Sequence, residues 1–265
     1  MFRKIIFFIS LFLVPLSVNA NEEIIKLSTR DGVTLDLLVS TPKASNGTAL
    51  IMFPGGDGSK HFSMKDGVIK RGSNFLVRTV PDFTNKGFLV AVVGLPSDKP
   101  YGMDDNFRTS DNHLQDITKV VQYILGKGYK SVFLVGTSKG TISAAYLGAT
   151  LKNSAVKGIV LTSTMKYGFY LRWIPLEKTS YPVLILHHKD DNCKHSPYSD
   201  ASKLAKHYKN SPQVDFESVS GGLPPQSDPC EPLSAHGYFG IEEKVADMIA
   251  SWVLKVAPLK RHSQI

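Results

Sequence analysis

Short apolar runs alternate with helix-compatible segments along most of this chain. Two β-rich runs with alternating polarity, residues 23–30 and 34–41, are joined by Asp31-Gly32, a pair that favours a hairpin turn. Near-continuous apolar runs follow at residues 48–53, 88–95, 131–135, 156–161 and 183–186, and residues 214–219 complete the predicted strands. Helix-compatible segments separate or follow them at residues 110–125, 139–151, 197–207 and 241–254. This alternation predicts one α/β domain over residues 21–265, with a mostly parallel central sheet and helices on both faces.

The first twenty residues have the pattern of a signal peptide. Arg3 and Lys4 precede an apolar run over residues 5–14, and Val18-Asn19-Ala20 fits cleavage after Ala20. The run is shorter than the roughly 20 residues that a membrane span needs. An uncleaved N-terminal anchor is the alternative. We therefore expect residues 1–20 to be removed and the mature protein to be periplasmic or secreted, with no stable membrane insertion.

Composition narrows the function classes. The chain has 42% hydrophobic and 20% charged residues, which excludes a disordered protein or a coiled coil. Its formal net charge is +8, but the basic residues are scattered and form no run. The sequence therefore predicts no nucleic-acid partner. It carries no information about the oligomeric state.

Export changes the interpretation of the two cysteines. Cys193 and Cys230 are the only cysteines in the chain, and an oxidising compartment favours a disulfide between them. The alternative is two free thiols, one of them buried. Either way, a cysteine nucleophile is disfavoured because a serine fills that role better.

The serine in question lies in a Gly-x-Ser-x-Gly motif at residues 136–140. The motif directly follows the apolar run 131–135 and opens a segment of small residues, which is the strand–turn–helix context of a nucleophile elbow. There Ser138 would have a positive φ, and Gly136 and Gly140 would allow the strand and the helix to approach. An ordinary strand-to-helix turn is the alternative interpretation.

A nucleophilic serine needs a base and an acid that orients the base. Asp191 follows the apolar run 183–186, so it should emerge at the same sheet edge as Ser138. His236 lies in a loop before the last predicted helix. We predict Asp191 as the acid and His236 as the base, with adjacent Asp190 as a rival for the acid. A Cys193–Cys230 bridge would bring these two loops together.

Two other segments of the chain contain residues that could form a different kind of site. Residues 187–195 are dense in possible metal ligands, but they lack a familiar zinc spacing, so no metal is predicted. The glycines of residues 54–58 lack phosphate-loop spacing and instead suit an oxyanion hole. Its backbone donors would be Lys139 and Gly56, with Gly55 as the alternative to Gly56. A plain tight turn is the other interpretation of these glycines.

Four segments together resemble the α/β-hydrolase superfamily, and in particular small exported bacterial serine hydrolases of the dienelactone-hydrolase or esterase-like kind. They are residues 53–58 (FPGGDG), 136–141 (GTSKGT), 187–193 (HHKDDNC) and 235–238 (AHGY). The resemblance implies the α/β-hydrolase fold and acyl-enzyme chemistry without a cofactor. Ser138 would attack a carbonyl, His236 would transfer the proton, and Asp191 would hold the imidazole. Pro54 replaces a frequent histidine and His188 a frequent glycine, which leaves the oxyanion donor open.

The substrate is the least determined part of the prediction. The segment 164–181 is too short for a separate cap domain, so short or medium acyl esters are the predicted substrates. Its aromatic residues either line an open site or pack in the core. Arg108 either binds a substrate carboxylate or forms a structural ion pair. An acyltransferase or small-peptide peptidase using the same triad, and a non-catalytic binding protein on this fold, are the alternative functions. The aromatic residues of the segment 164–181 that could line the site are Tyr167, Phe169, Tyr170 and Trp173.

Overall fold

Strands and helices alternate through the residues that the structure, a computed structural model, describes: 21–59 and 61–257. The strands are β1 (Asn21–Arg30), β2 (Val33–Thr41), β3 (Thr48–Phe53), β4 (Phe62–Lys65), β5 (Val68–Arg71), β6 (Leu89–Pro96), β7 (Ser131–Thr137), β8 (Val156–Thr162), β9 (Val183–His188) and β10 (Val214–Val219). The α-helices are α1 (Phe75–Arg78), α2 (Val80–Asn85), α3 (Asp105–Arg108), α4 (Asp111–Gly126), α5 (Gly140–Thr150), α6 (Tyr198–Leu204) and α7 (Glu242–Val256). The predicted signal peptide, residues 1–20, lies outside the described residues.

Eight strands form the central sheet in the order β1-β2-β6-β3-β7-β8-β9-β10. The β1–β2 and β2–β6 pairs are antiparallel, and the remaining pairs are parallel. This confirms the predicted mostly parallel sheet. The carboxyl ends of β3, β7, β8 and β9 therefore lie along one edge, where the loops that follow them can build a site.

Helices cover both faces of the sheet, as predicted. Along β3, Ile51 and Phe53 pack into one buried cluster with α4 and α5, whereas Leu50 and Met52 pack into a second with α1, α2 and α7. Alternating side chains of one strand thus enter opposite layers, which explains why the buried strands are apolar at every position. No helix in the ranges 21–59 and 61–257 is long and apolar enough to cross a bilayer.

A small hairpin, β4–β5, interrupts the chain between β3 and α1 and was not predicted. Its two strands pair antiparallel, and its turn residues Asp66 and Gly67 have φ values of 52° and 72°. The backbone N–H of Gly72 donates to the carbonyl of His61 at 2.7 Å and closes the base of the hairpin. The hairpin thereby places both of these residues beside the loop that follows β3.

Candidate active site

The turn between β7 and α5 has the backbone geometry of a nucleophile elbow. Ser138 has a φ of 50°, a left-handed backbone conformation that residues other than glycine rarely adopt. A Cβ on Gly140 would lie 1.8 Å from the carbonyl oxygen of Phe53, and one on Gly136 would lie 2.5 Å from the carbonyl oxygen of Gly140. Glycine is therefore required at both positions, because strand, helix and the β3 end approach one another closely. The turn presents the Ser138 side chain to a cavity at the carboxyl edge of the sheet.

His236 is hydrogen-bonded to a buried carboxylate. Its Nδ1 lies 2.9 Å from Oδ2 of Asp191, although the two residues are 45 positions apart. Oδ2 also accepts from Ser196 Oγ at 3.2 Å, and Nε2 of His187 lies 3.2 Å from it. Oδ1 accepts from the backbone N–H of Cys193 at 2.9 Å. The carboxylate is thus fixed in position by four neighbours.

These contacts keep Asp191 ionised. Burial by itself would raise the pKa of this carboxyl group, but the hydrogen bonds from His187 and His236 outweigh it and hold the pKa well below its usual range. An ionised Asp191 only accepts hydrogen bonds, so Nδ1 of His236 carries the hydrogen. The neutral His236 ring then has its lone pair on Nε2.

The structure also separates the two candidate acids. The side chain of Asp190 is 70% exposed and approaches His188, at 3.8 Å, rather than His236. Asp191, next to it in the chain, points inward. Of the two, Asp191 is therefore the one placed to orient His236.

Buried polar contacts that sequence analysis missed hold the His236 loop. Tyr238 has a φ of 58°, and its hydroxyl donates to the carbonyl of Leu186 at 2.8 Å and accepts from the N–H of Ser163 at 2.9 Å. Ser163 Oγ in turn donates to the carbonyl of His236 at 2.6 Å. These bonds tie the loop to the ends of β8 and β9.

Ser138 and His236 line one cavity of about 560 Å³. The Ser138 hydroxyl contacts Met165 Sδ at 3.8 Å, and Nε2 of His236 has no hydrogen-bond partner among the described residues. A direct Ser138–His236 hydrogen bond is therefore not formed. Such bonds are often long in free enzymes and tighten when substrate binds. The structure brings together the three predicted residues but leaves the serine–histidine contact open.

Backbone donors border the same cavity. Gly55 lies against the serine, since a Cβ on Gly55 would be 2.9 Å from Ser138 Cβ. Gly56, with a φ of 62°, and Lys139 also line the cavity. The N–H groups of these three residues donate to no other group within residues 21–59 and 61–257. Free N–H groups beside a serine are what an oxyanion hole requires.

A metal-like cluster coincides with these residues. Potential ligand atoms of Asp191, Cys193 and His236 lie within 4.8 Å of one another. The Cys193 sulfur, however, is bonded to Cys230, so it offers no thiolate, and His236 Nδ1 is engaged by Asp191. The donor set therefore does not suit a metal ion, and the chemistry of these groups is that of a hydrogen-bonded pair.

The Cys193–Cys230 disulfide is present and joins the Asp191 loop to the long loop that carries His236. The two cysteines are 37 positions apart, and the chain-entropy model gives about 4 kcal/mol of stabilisation for a bridge of this span.

We expect reduction of this disulfide to lower the Tm by about 8–15 °C, measured by calorimetry with and without dithiothreitol. The Cys193→Ser/Cys230→Ser double variant is the control, because its Tm should not respond to the reductant. An unchanged Tm for the reduced wild type would contradict the prediction.

Arg108 fits neither of its two expected roles. Its side chain is fully buried and donates to Ser143 Oγ at 3.0 Å and to the carbonyl of Gly56 at 3.1 Å. Within the described residues no carboxylate oxygen lies within 4.0 Å of its guanidinium group. Burial lowers the pKa of Arg108 to about 10, so it stays cationic at neutral pH. Arg108 therefore supports the glycine loop and does not reach the cavity.

The aromatic residues after β8 do not share one location, and two of them occupy neither of the predicted ones. Phe169 and Trp173 are 71% and 78% exposed, so they are not core residues. Tyr170 lines the cavity, and its hydroxyl lies 2.8 Å from Nδ1 of His195. Tyr167 stacks on His207. Only Tyr170 of this group borders the cavity that contains Ser138.

No known protein-family model and no curated protein sequence matches this chain. Solved structures do match. Dienelactone hydrolase from Anabaena variabilis is 11% identical, covers 90% of this chain and 99% of its own, and has a TM-score of 0.62. A serine hydrolase without a lid from Xanthomonas campestris is 10% identical, with 91% and 94% coverage and a TM-score of 0.56. A cold-adapted esterase from an Arctic intertidal metagenomic library is 13% identical, with 89% and 95% coverage and a TM-score of 0.60.

At these identities the likeness concerns architecture. The matches extend over almost the full length of the compared chains, and one of them is described as a serine hydrolase without a lid. The eight-stranded, mostly parallel sheet with helices on both faces agrees with that architecture. This chain has the α/β-hydrolase fold.

Proposed function

We propose that the protein is an exported serine hydrolase that cleaves short or medium acyl esters through an acyl-enzyme on Ser138. One observation carries the proposal. His236, hydrogen-bonded to the buried Asp191, borders the same cavity as a serine held at a positive φ on a strand–helix turn. A strained, half-buried serine that shares a cavity with an oriented imidazole is the arrangement needed for nucleophilic catalysis.

Each residue then has a defined step. Ser138 Oγ attacks the ester carbonyl while Nε2 of His236 takes its proton. The ionised Asp191 stabilises the resulting imidazolium, and the backbone N–H groups of Gly56 and Lys139 bind the oxyanion. His236 gives the proton to the departing alcohol, which leaves the acyl group on Ser138. Water, activated by the same histidine, releases the acid. No cofactor is needed for this sequence of steps.

The cavity supports small substrates. It is about 560 Å³ in volume, and polar side chains such as Ser59, Ser73, Asn74 and Glu231 form part of its wall. The segment between β8 and β9 contributes only short helical turns, not a covering domain. A partly polar, uncovered cavity offers a long acyl chain little apolar surface. This favours short or medium acyl groups over long ones.

Two further observations support the proposed ester substrate and the proposed export. Dienelactone hydrolase and an esterase are among the proteins with the same architecture, and an ester substrate is compatible with both. The disulfide is compatible with an oxidising compartment, and so with the proposed export to the periplasm or beyond.

The proposal is tested by labelling the mature protein with a fluorophosphonate and mapping the adduct by mass spectrometry. We expect a single adduct on Ser138, together with hydrolysis of p-nitrophenyl esters that declines beyond medium acyl length. Release of free acid in the presence of added alcohols or amines separates hydrolysis from acyl transfer. Amide cleavage with weak ester cleavage would indicate a peptidase. A folded protein that neither labels nor hydrolyses any ester would contradict the proposal.

A further inference from the structure

A second histidine, His61, lies in the wall of the Ser138 cavity and takes no part in the chemistry proposed above. Its Nε2 is 3.0 Å from the carbonyl oxygen of Gly55. A carbonyl oxygen only accepts hydrogen bonds, so Nε2 of His61 carries the hydrogen and donates. Burial, assisted by the nearby charge of Arg108, lowers the pKa of His61 against the opposing effect of this hydrogen bond, so the ring is neutral at neutral pH.

The bond acts on the peptide group that contains the proposed oxyanion donor. The carbonyl of Gly55 and the N–H of Gly56 belong to one peptide unit, which is trans and planar. In such a unit the C=O and the N–H point in opposite directions. Holding the carbonyl toward His61 therefore fixes the N–H of Gly56 on the other side. Donation to the carbonyl also polarises the peptide, which makes its N–H a stronger donor.

This peptide needs an anchor because it lies between glycines. Gly55 and Gly56 have no side chains to restrict rotation, and Gly56 already has a φ of 62°. The next two carbonyls along the loop are also held. Arg108 donates to that of Gly56 at 3.1 Å, and the N–H of Met103 donates to that of Asp57 at 2.6 Å.

His61 is itself placed by the β4–β5 hairpin. Its backbone carbonyl accepts from the N–H of Gly72 at the base of the hairpin, at 2.7 Å. The β4–β5 hairpin thus returns the chain to the glycine loop that follows β3 and places a hydrogen-bond donor beside it.

We propose that His61 is a positioning residue that aims the backbone N–H of Gly56 at the oxyanion formed on attack by Ser138. The inference rests on the proposed function, since it assigns a role within the same reaction. The role is orientation of a backbone donor, so its effect belongs to the transition state and not to the binding of the uncharged ester.

Two variants of the mature protein test this assignment. In His61→Gln the terminal amide nitrogen can occupy the place of Nε2 and donate to Gly55, whereas in His61→Asn the amide is one methylene too short. We expect His61→Asn to lower kcat by about tenfold with KM within about twofold, and His61→Gln to keep kcat within about threefold of the wild type. The affinity for phenylboronic acid, which forms a tetrahedral anion on an activated serine, should fall in His61→Asn by the same factor as kcat.

The outcomes separate this inference from the function on which it rests. An active wild type with equal kcat in the two variants would overturn the positioning role and leave the hydrolase proposal intact. A change in KM with unchanged kcat would also overturn it, because it would make His61 a substrate contact. A wild type without labelling or hydrolysis would instead remove the proposed function. Tm measurements on both variants show whether a loss of kcat reflects a loss of folded protein.

Discussion

Replacement of Ser138 by alanine should lower kcat/KM for a p-nitrophenyl ester by about 10⁴- to 10⁶-fold, because among residues 21–59 and 61–257 no other hydroxyl that lines the cavity stands on an elbow turn. The Tm should stay within about 2 °C of the wild type. Alanine keeps the Cβ and so the same backbone strain at a φ of 50°. The lost hydroxyl has only a long contact to Met165 Sδ, at 3.8 Å. The measurement pairs steady-state kinetics with calorimetry on the same samples.

A serine outside the cavity provides the control for this substitution. Ser202 is exposed on α6, and its hydroxyl bonds only to the carbonyl of Ser199 in the preceding turn. Ser202→Ala should match the wild type in both measurements. Turnover by Ser138→Ala comparable with that of the wild type would show that Ser138 is not the nucleophile. A Tm drop of many degrees would show that its hydroxyl has a structural role that these contacts do not reveal.

Local signals in the sequence were sufficient to predict the strands of the central sheet and the burial of both its faces. The apolar run 48–53 coincides with β3, because a strand buried on both faces needs apolar residues at every position. Residues 214–219 coincide with β10, a half-buried edge strand that also carries polar residues. Serine is a typical N-cap residue, and the hydroxyl of Ser110, at the start of the predicted segment 110–125, accepts from the N–H of His113 in the first turn of α4. The β4–β5 hairpin was missed although Asp66-Gly67 is a turn signal of the same kind as Asp31-Gly32. Its strands are only four residues long and largely exposed, so they lack the apolar pattern.

The parts of the site that sequence could not predict depend on contacts between distant residues. Arg108 reaches Gly56 across 52 positions, and Ser163 reaches His236 across 73. Nothing near Arg108 in the chain indicates that a guanidinium group will be buried among carbonyl and hydroxyl acceptors. The position of His61 could not be predicted from the sequence because its partner is a backbone carbonyl, which leaves no trace in residue identity. Ser138, Asp191 and His236 could be predicted from the sequence because their residue types and their placement after predicted elements carry chemical information.

The neighbouring acids Asp190 and Asp191 provide a matched pair for the second large effect. We expect Asp191→Asn to lower kcat by about 10⁴-fold, since an amide neither stabilises the imidazolium nor selects the tautomer with hydrogen on Nδ1. Asp190→Asn removes the same charge one position away, from an exposed side chain whose contact is His188 at 3.8 Å. Its kcat should stay within about twofold of the wild type, because surface charge pairs contribute little. Comparable losses in the two variants would contradict the assignment of Asp191.

The Asp191→Asn variant also tests whether Asp191 is ionised in the folded protein. Its pKa is held below the value of about 3.9 for an unfolded aspartate, so the ionised form stabilises the fold above about pH 4. This contribution is lost as the pH falls through the folded-state pKa. The difference in unfolding free energy between the wild type and Asp191→Asn should therefore be constant near neutral pH and shrink below about pH 4, as measured by urea unfolding at a series of pH values. A difference that grew on acidification would mean that Asp191 is protonated in the fold, and a protonated Asp191 could not serve as the charge that stabilises the imidazolium of His236.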